Sequence, residues 1–441
     1  MIGRDLTLIA GHQFIAYVVL PGFGTYHQGL FQVILVAPLP GAFGEQLRSH
    51  PGAIASNGTL GSALYVALNG DVSGLAHIVF TQKHPINILV LKLDQIIRVH
   101  VELTTRCNAR CPMCMRNYRG LDHNSGYPLT ELTLSDFQYI FQPEFLAQLR
   151  PPPLPQDGFP HRRHEFWGVS FNGNLGDFAL ARDAQSIVRY LVDHGVAVKI
   201  NTNGSLRSPE WWSELALPGV EIGWALDGLA DTHHLYRQDT DWQRVIDNAR
   251  AFIRAGGAAV WRFIPFDHNR HQEQACRLLS QDLGFQRFEN IWDGRDRGPV
   301  FHRDGRFSHW IGDRFAGESL DPPPVGELLQ NHITWFDAST VNCGRDTPEL
   351  DMQCIHKRNR EIYVAADGSV YPCCFLGFYP QTMCHPGNNQ LRGLVRENNA
   401  LEYSLAHCIQ WFDAVEATWN QPSIAQGRLY QCINTCNRKS Q

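Results

Sequence analysis

From Ile97 onward the chain alternates strand-like and helix-like segments six times, and no other feature restricts its fold as strongly. The strand-like runs are "IRVHVEL", "FWGVSF", "VAVKIN", "VEIGWAL", "AVWRFIPF" and "FQRFEN". Between them lie "LSDFQYIFQPEFLAQL" and helical stretches around 184–194, 207–215, 242–255 and 271–282. Thr133 and Ser135 are capping candidates for the first helix. In the 242–255 stretch Val245, Ala249 and Phe252 share one face, and Gly256 stands where a C-terminal cap belongs. Such alternation predicts an α/β chain with a parallel sheet and outer helices, closed into a partial (β/α)6 TIM-like barrel over residues 96–300. Reactive groups then belong at the carboxyl ends of the strands.

The flanking regions have different compositions. Residues 1–95 are sparsely charged and read as short strands: "LTLIA", "FIAYVVL", "QVILVA", "ALYVAL", "LAHIVF" and "INILVLKL". They form either a small β domain of unknown role or an over-extended start, with the working chain beginning near Leu93. Residues 301–350, marked by "DPPPV", read as a linker, and 351–441 as a loop-rich, Cys-rich domain. No internal repeat is visible.

A formal charge of −5 without a long Lys/Arg run gives no reason to expect nucleic acid or an anionic membrane. The apolar runs near the start break well before the roughly 18 residues that span a bilayer. "MIGRDL" does not open a signal peptide, so the expected location is the cytoplasm. There the 12 cysteines point to metal rather than to a disulfide scaffold.

Cys107, Cys111 and Cys114 follow a C-x3-C-x2-C spacing directly after the first barrel strand. A structural zinc site closes its tetrahedron with four ligands, and no fourth Cys or well-placed His follows nearby. A [4Fe–4S] cluster held by three thiolates instead leaves one iron open to an outside ligand. Half of a zinc site is the competing reading.

In this spacing and its place the sequence resembles the radical S-adenosylmethionine (radical SAM) enzymes over roughly residues 97–290. The resemblance implies that the open iron binds S-adenosyl-L-methionine. One electron then cleaves it to methionine and a 5′-deoxyadenosyl radical, which takes a hydrogen atom from substrate. "FNGNLGDF" resembles the family's glycine-rich acidic motif, which gives Gly176 and Asp177 the methionine amino group, with Asp in place of the usual Glu. A helix N-cap is the rival role for Asp177. "INTNG" offers Asn201 and Asn203 to the ribose hydroxyls, or they are turn formers before Gly204. Arg237, in "ALDGLADTHHLYR", suits the methionine carboxylate by its planar fork, with a surface ion pair as the alternative. Met113 stands where many relatives place an aromatic beside the adenine.

In the tail, Gly368 lies fourteen residues after Cys354, and Cys373 five beyond that. This resembles the opening of the SPASM and twitch extensions, whose hairpins carry auxiliary-cluster ligands. "EIYVAADGSVYP" predicts a hairpin around an Asp-Gly turn. The full SPASM run is absent, so the resemblance implies a twitch-like domain with one auxiliary [4Fe–4S] cluster on Cys354, Cys373, Cys432 and Cys436. Cys374, Cys384 and Cys408 are left unassigned, and a zinc-binding tail is the rival. Cys276 and Cys343 read as buried small hydrophobes.

The implied enzyme is an oxidoreductase acting on a peptide or protein side chain or on a small metabolite, and giving an oxidised or cross-linked product. A flavodoxin- or ferredoxin-type protein would be its electron donor. An epimerase, with a non-cluster thiol as hydrogen donor, or an alcohol dehydrogenase acting on a sugar-like metabolite is the alternative. A non-catalytic iron–sulfur or zinc scaffold is the alternative of another class.

Overall fold

The computed structural model describes residues 91–437 except 115, 118, 122–127, 152–165, 292–297, 312–323, 325–349, 379–389 and 392, together with five strands among residues 1–88. The chain divides into two compact units, Met1–Ile88 and Leu89–Gln441. In the first, β1 (Ile2–Leu8), β2 (His12–Val18) and β3 (Val33–Val36) form an antiparallel sheet in that order. There β4 (Ala63–Val66) pairs with β5 (Ala76–Val79). The sixth expected strand, at 86–93, begins outside the described residues, and Leu93–Gln95 is a 3-10 turn.

The second unit is built on one sheet. Its strands β6 (Arg98–Val101), β7 (Gly168–Asn172), β8 (Val198–Thr202), β9 (Val220–Ala225), β10 (Ala258–Phe263) and β11 (Arg287–Asn290) are the six expected ones, parallel and adjacent in chain order. Parallel strands between helices are covered on both faces, which is why they read as nearly unbroken apolar runs. The covering helices use a 3.6-residue stripe. In α3 (Ala184–Asp193) Ala184, Ile187, Val188 and Leu191 are buried, and in α6 (Trp242–Arg254) Val245, Ala249 and Phe252 are. Gly256 ends α6 with φ +92°, a left-handed conformation open to glycine.

One expected helix is two. The stretch after β6 forms α1 (Leu134–Ile140) and α2 (Pro143–Gln148). Pro143 has no N–H to give the preceding turn and drives Gln142 to an extended ψ of 157°. Thr133 caps α1 through a reciprocal box with Asp136, whereas Ser135 lies inside the helix. Two other expected helices keep their places with shifted ends: α4 is Pro209–Ser213, capped by Ser208, and α7 is Glu273–Leu283. Between β9 and α6 a short α5 (His233–Tyr236) was not legible.

Two hairpins complete the unit. β12 (Gly298–Phe301) and β13 (Phe307–Ile311) pair antiparallel, so the first part of the segment read as linker is folded. The Phe301 N–H donates to the Arg119 carbonyl at 2.8 Å, which seats this hairpin on the cysteine loop. The Asp-Gly hairpin expected in the tail is β14 (Glu361–Val364) and β15 (Val370–Tyr371), with Gly368 at φ +86°. β14 pairs parallel with β6, so the tail extends the barrel sheet at its first strand. Among the described residues no helix is long and apolar enough to cross a membrane.

Candidate active site at the carboxyl end of the barrel

The loop after β6 is held at its root and turned tightly at its thiols. The Thr105 hydroxyl donates to the Pro128 carbonyl at 2.8 Å and accepts from the Thr130 N–H at 2.9 Å. Beyond it the Cys114 N–H donates to the Cys111 carbonyl at 3.0 Å, and the Asn117 N–H to the Cys114 carbonyl at 2.8 Å. Cys111 is buried, and Cys107 and Cys114 are half-buried. All three line one cavity of about 520 Å³ at the carboxyl ends of the strands, and so do Met113, Gly176, Asp177, Asn201, Asn203 and Arg237. Ala109, Tyr236, Phe266, Val300 and Ile311 pack behind the thiols as an apolar wall.

The glycine loop after β7 is tied to this loop by its backbone. A Cβ on Gly176 would overlap the Thr104 carbonyl oxygen, so the two chains approach more closely than any other residue permits. The Asp177 N–H donates to the Arg106 carbonyl at 2.8 Å. The Asp177 carboxylate, 5% exposed, accepts from the Ala179 N–H at 3.0 Å, the Thr202 hydroxyl at 2.9 Å and the Asn203 N–H at 2.7 Å. It therefore caps the 3-10 turn Phe178–Leu180 while lining the cavity. Burial pushes its pKa upward, and these bonds and Arg237 oppose the shift.

Asn201 donates from Nδ2 to Asn172 Oδ1 at 3.1 Å. Asn203 makes a turn with its Oδ1 on the Ser205 N–H at 3.0 Å, while its Nδ2 donates to Asn108 Oδ1 at 2.9 Å and lies 3.9 Å from Cys107 Sγ. Asn203 forms the turn and also lines the cavity. Arg237 is not a surface residue: its Nε donates to the fully buried Asp227 at 2.6 Å, and a terminal nitrogen lies 3.7 Å from Cys111 Sγ. The Asp227 charge opposes the burial of that guanidinium and holds its proton more tightly than usual.

Three participants were missed. Glu102 is wholly buried at the end of β6, and its carboxylate accepts the N–H groups of Asn174, Leu175 (3.1 Å) and Gly176 (2.8 Å) and the Tyr363 hydroxyl (3.2 Å). An acid ending an apolar strand in "VHVEL" was the available signal. Arg262 on β10 brings a second guanidinium to the cavity, its nearest carboxylate Glu289 at 3.9 Å. Asp227, which anchors Arg237, is the third.

In the tail Cys354, Cys373, Cys432 and Cys436 line a second, narrow pocket of about 20 Å³ with Pro372, Phe412 and Trp419. Cys432 and Cys436 stand one turn apart on the helix Tyr430–Cys436, and the Gln353 N–H donates to the Cys436 carbonyl at 2.8 Å. Burial pushes the Cys354 thiol up to about 11 and raises Cys373, Cys432 and Cys436 as well. Cys276 and Cys408 are buried, whereas Cys343 and Cys384 lie outside the described residues. Among the described residues no three His, Cys, Asp or Glu side chains are gathered closely enough to hold a single metal ion.

No protein-family model and no curated protein matches the chain. Several solved structures are similar to it. The S-adenosylmethionine-bound structure of SuiB from Streptococcus suis is similar over 71% of this chain and 65% of its own, at 13% identity and a TM-score of 0.43. The structure of anSMEcpe with bound AdoMet is similar over 72% of this chain and 78% of its own, at 15% identity and a TM-score of 0.40. Methylornithine synthase (PylB) is similar over 45% and 54%, at 10% identity and a TM-score of 0.32. In this chain six parallel strands lie adjacent in chain order, and the C-x3-C-x2-C loop follows the carboxyl end of the first.

Proposed function

We propose that the chain is a radical SAM enzyme whose cavity takes a [4Fe–4S] cluster on Cys107, Cys111 and Cys114, S-adenosylmethionine beside it, and a peptide side chain or small metabolite beyond. The observation that carries this is the convergence of three thiols from one loop, and of polar groups from the next three strand ends, on one cavity. The donor set fits the cluster. Cys111 is buried and Cys107 and Cys114 are half-buried, burial pushes the Cys107 thiol up, and among the described residues no fourth Cys stands on the loop. When bound, the cluster would supply one electron to the sulfonium and so the radical that removes hydrogen.

The chain's own residues hold and aim. Gly176 and Asp177 would receive the methionine ammonium, Asn201 and Asn203 the ribose, and Met113 the adenine. Arg237 is already engaged by Asp227, so its remaining N–H groups and those of Arg262 would share the carboxylate. The four-thiol pocket would hold one auxiliary cluster on Cys354, Cys373, Cys432 and Cys436, in the manner of a twitch domain, with a flavodoxin- or ferredoxin-type protein as external donor. Oxygen-sensitive clusters on reduced thiols suit the cytoplasm.

The substrate radical has two outlets. Passing an electron to the auxiliary site gives an oxidised or cross-linked product, and taking hydrogen from a thiol makes the enzyme an epimerase. The second outlet is favoured by one observation, a further thiol in the cavity wall at Cys374. Anaerobic loading with iron and sulfide, followed by dithionite and S-adenosylmethionine, tests the core reading. 5′-Deoxyadenosine is expected. A chain that binds zinc but no iron, or a fully loaded chain that leaves the cofactor intact, overturns it.

A further inference from the structure

Two side chains in the wall of the four-thiol pocket, Trp419 and Gln431, hold polar atoms that meet no hydrogen-bond partner among the described residues. Trp419 is 4% exposed on the 3-10 turn Thr418–Asn420. Its Nε1–H is the unpartnered atom, and the acceptor it faces is the Cys432 sulfur. Gln431 is 3% exposed on the helix Tyr430–Cys436, donates from Nε2 to Thr435 Oγ1 at 2.7 Å, and leaves Oε1 without a donor. Turned about, the same amide would accept from the Thr435 hydroxyl and offer an N–H in place of the bare oxygen. A buried polar atom left without a partner costs about 1–3 kcal/mol, so two in one pocket mark a place where an occupant completes the bonding. A protonated thiol is a weak acceptor, whereas a thiolate carries charge and accepts well.

The indole is also fixed and polarised. Lys357 Nζ stands 5.6 Å from the centroid of its ring and pairs with the buried Glu416 beside it. An ammonium over an indole face is drawn to the ring electrons, and in return it makes the ring N–H a stronger donor. We infer that Trp419 is a positioning residue for the auxiliary site, whose N–H bonds to the Cys432 sulfur once that sulfur is an iron ligand and so raises the reduction potential there; this rests on the auxiliary-cluster reading above. Reduction adds one negative charge that spreads over the sulfurs, and a donor aimed at one of them favours the reduced form over the oxidised.

The test uses the full chain carrying Cys107→Ala, Cys111→Ala and Cys114→Ala, loaded anaerobically with iron and sulfide so that only the tail holds a cluster. About four irons per chain are expected, with or without Trp419→Phe, which keeps an apolar ring but has no N–H. In a potentiometric titration read by electron paramagnetic resonance, Trp419→Phe is expected to shift the one-electron equilibrium about tenfold toward the oxidised form, a midpoint about 59 mV lower. A midpoint that stays or rises while the iron count holds overturns the role of Trp419 and leaves the auxiliary cluster standing. A second measurement needs no variant at position 419. The triple-alanine chain is fed tryptophan with the heavy nitrogen isotope in its indole, and Trp419 is the tryptophan that lines the pocket. Spin-echo modulation from that nitrogen is expected on the reduced cluster, and its absence overturns the proposal even where Trp419→Phe fails to hold iron. A triple-alanine chain that takes up zinc or no metal overturns the auxiliary-cluster reading and the proposal together.

Discussion

The Glu102 carboxylate accepts the Gly176 N–H at 2.8 Å, a bond that joins the end of the first barrel strand to the loop assigned to the cofactor. The same carboxylate takes the Tyr363 hydroxyl at 3.2 Å, so β6, the glycine loop and the tail hairpin meet on one buried acid. Glu102→Gln replaces one acceptor oxygen by an amide donor facing the Asn174 N–H. The variant is expected to lose about 2 kcal/mol near pH 6, read from urea denaturation, since a buried donor left without an acceptor costs roughly that much. It is also expected to raise the KM for S-adenosylmethionine more than it lowers kcat, because the loop it loosens binds rather than reacts. An unchanged midpoint and KM would show that the loop holds itself.

The same variant gives a pH signature. Burial pushes Glu102 from 4.5 up to about 7, with the N–H donors opposing the shift. Between those values the folded chain keeps a proton that the unfolded chain has released. The contribution of Glu102 to stability is therefore full below about pH 4.5, falls as pH rises toward about 7, and is flat above. Glutamine has no proton to release. The stability gap between wild type and Glu102→Gln is expected to narrow from pH 5 to pH 7.5 or so, as unfolding curves at a series of pH values would read. A gap that widens with pH would mean that the N–H donors outweigh desolvation.

What the sequence disclosed and what it hid follow from the range of the interactions. Most of the six barrel strands were legible because they carry buried apolar residues bounded by Gly, Pro or polar residues, although β11 has none buried. The tail thiols were legible as two local pairs, one about a hairpin and one a close pair in sequence, whereas the pocket that all four line joins residues distant in sequence. Glu102 and Tyr363, by contrast, are 261 residues apart in sequence, and nothing local says which loop an acid will hold. Asp177 was read as either cap or cofactor ligand, although a carboxylate with two oxygens and several lone pairs accommodates cap bonds and a cavity face together. The different faces of Cys373 and Cys374 become visible only when β14 is set against β6, a pairing that no spacing announces.

Asp227 and Arg237 give a sharper test of the cavity wall. Asp227 is fully buried and accepts both Arg237 Nε at 2.6 Å and the Ile264 N–H at 2.7 Å. Asp227→Asn leaves the guanidinium with its burial uncompensated, and a loss of about 3 kcal/mol is expected. Adding Arg237→Met removes the stranded charge, so the double variant is expected to be more stable than the sum of the two single losses allows. Strict additivity in a denaturation cycle would mean that the pair is not coupled.

The four-thiol pocket makes a prediction in iron counts. Two four-iron clusters require about eight irons per chain, one set for each group of ligands. Cys432 lies inside the pocket beside Trp419, and serine there keeps the size of the side chain while offering a poor ligand to iron. Cys432→Ser is expected to bring the loaded chain to about four irons, with the remaining cluster still perturbed by S-adenosylmethionine in its electron paramagnetic resonance spectrum. Cys408→Ser, at a buried thiol that lines neither cavity, is expected to keep the full count. If both serine variants retain all of the iron, position 432 holds none of it and the assignment of Cys432 falls. If Cys408→Ser is the one that loses iron, the auxiliary ligand set includes position 408 and the assignment of Cys432 falls.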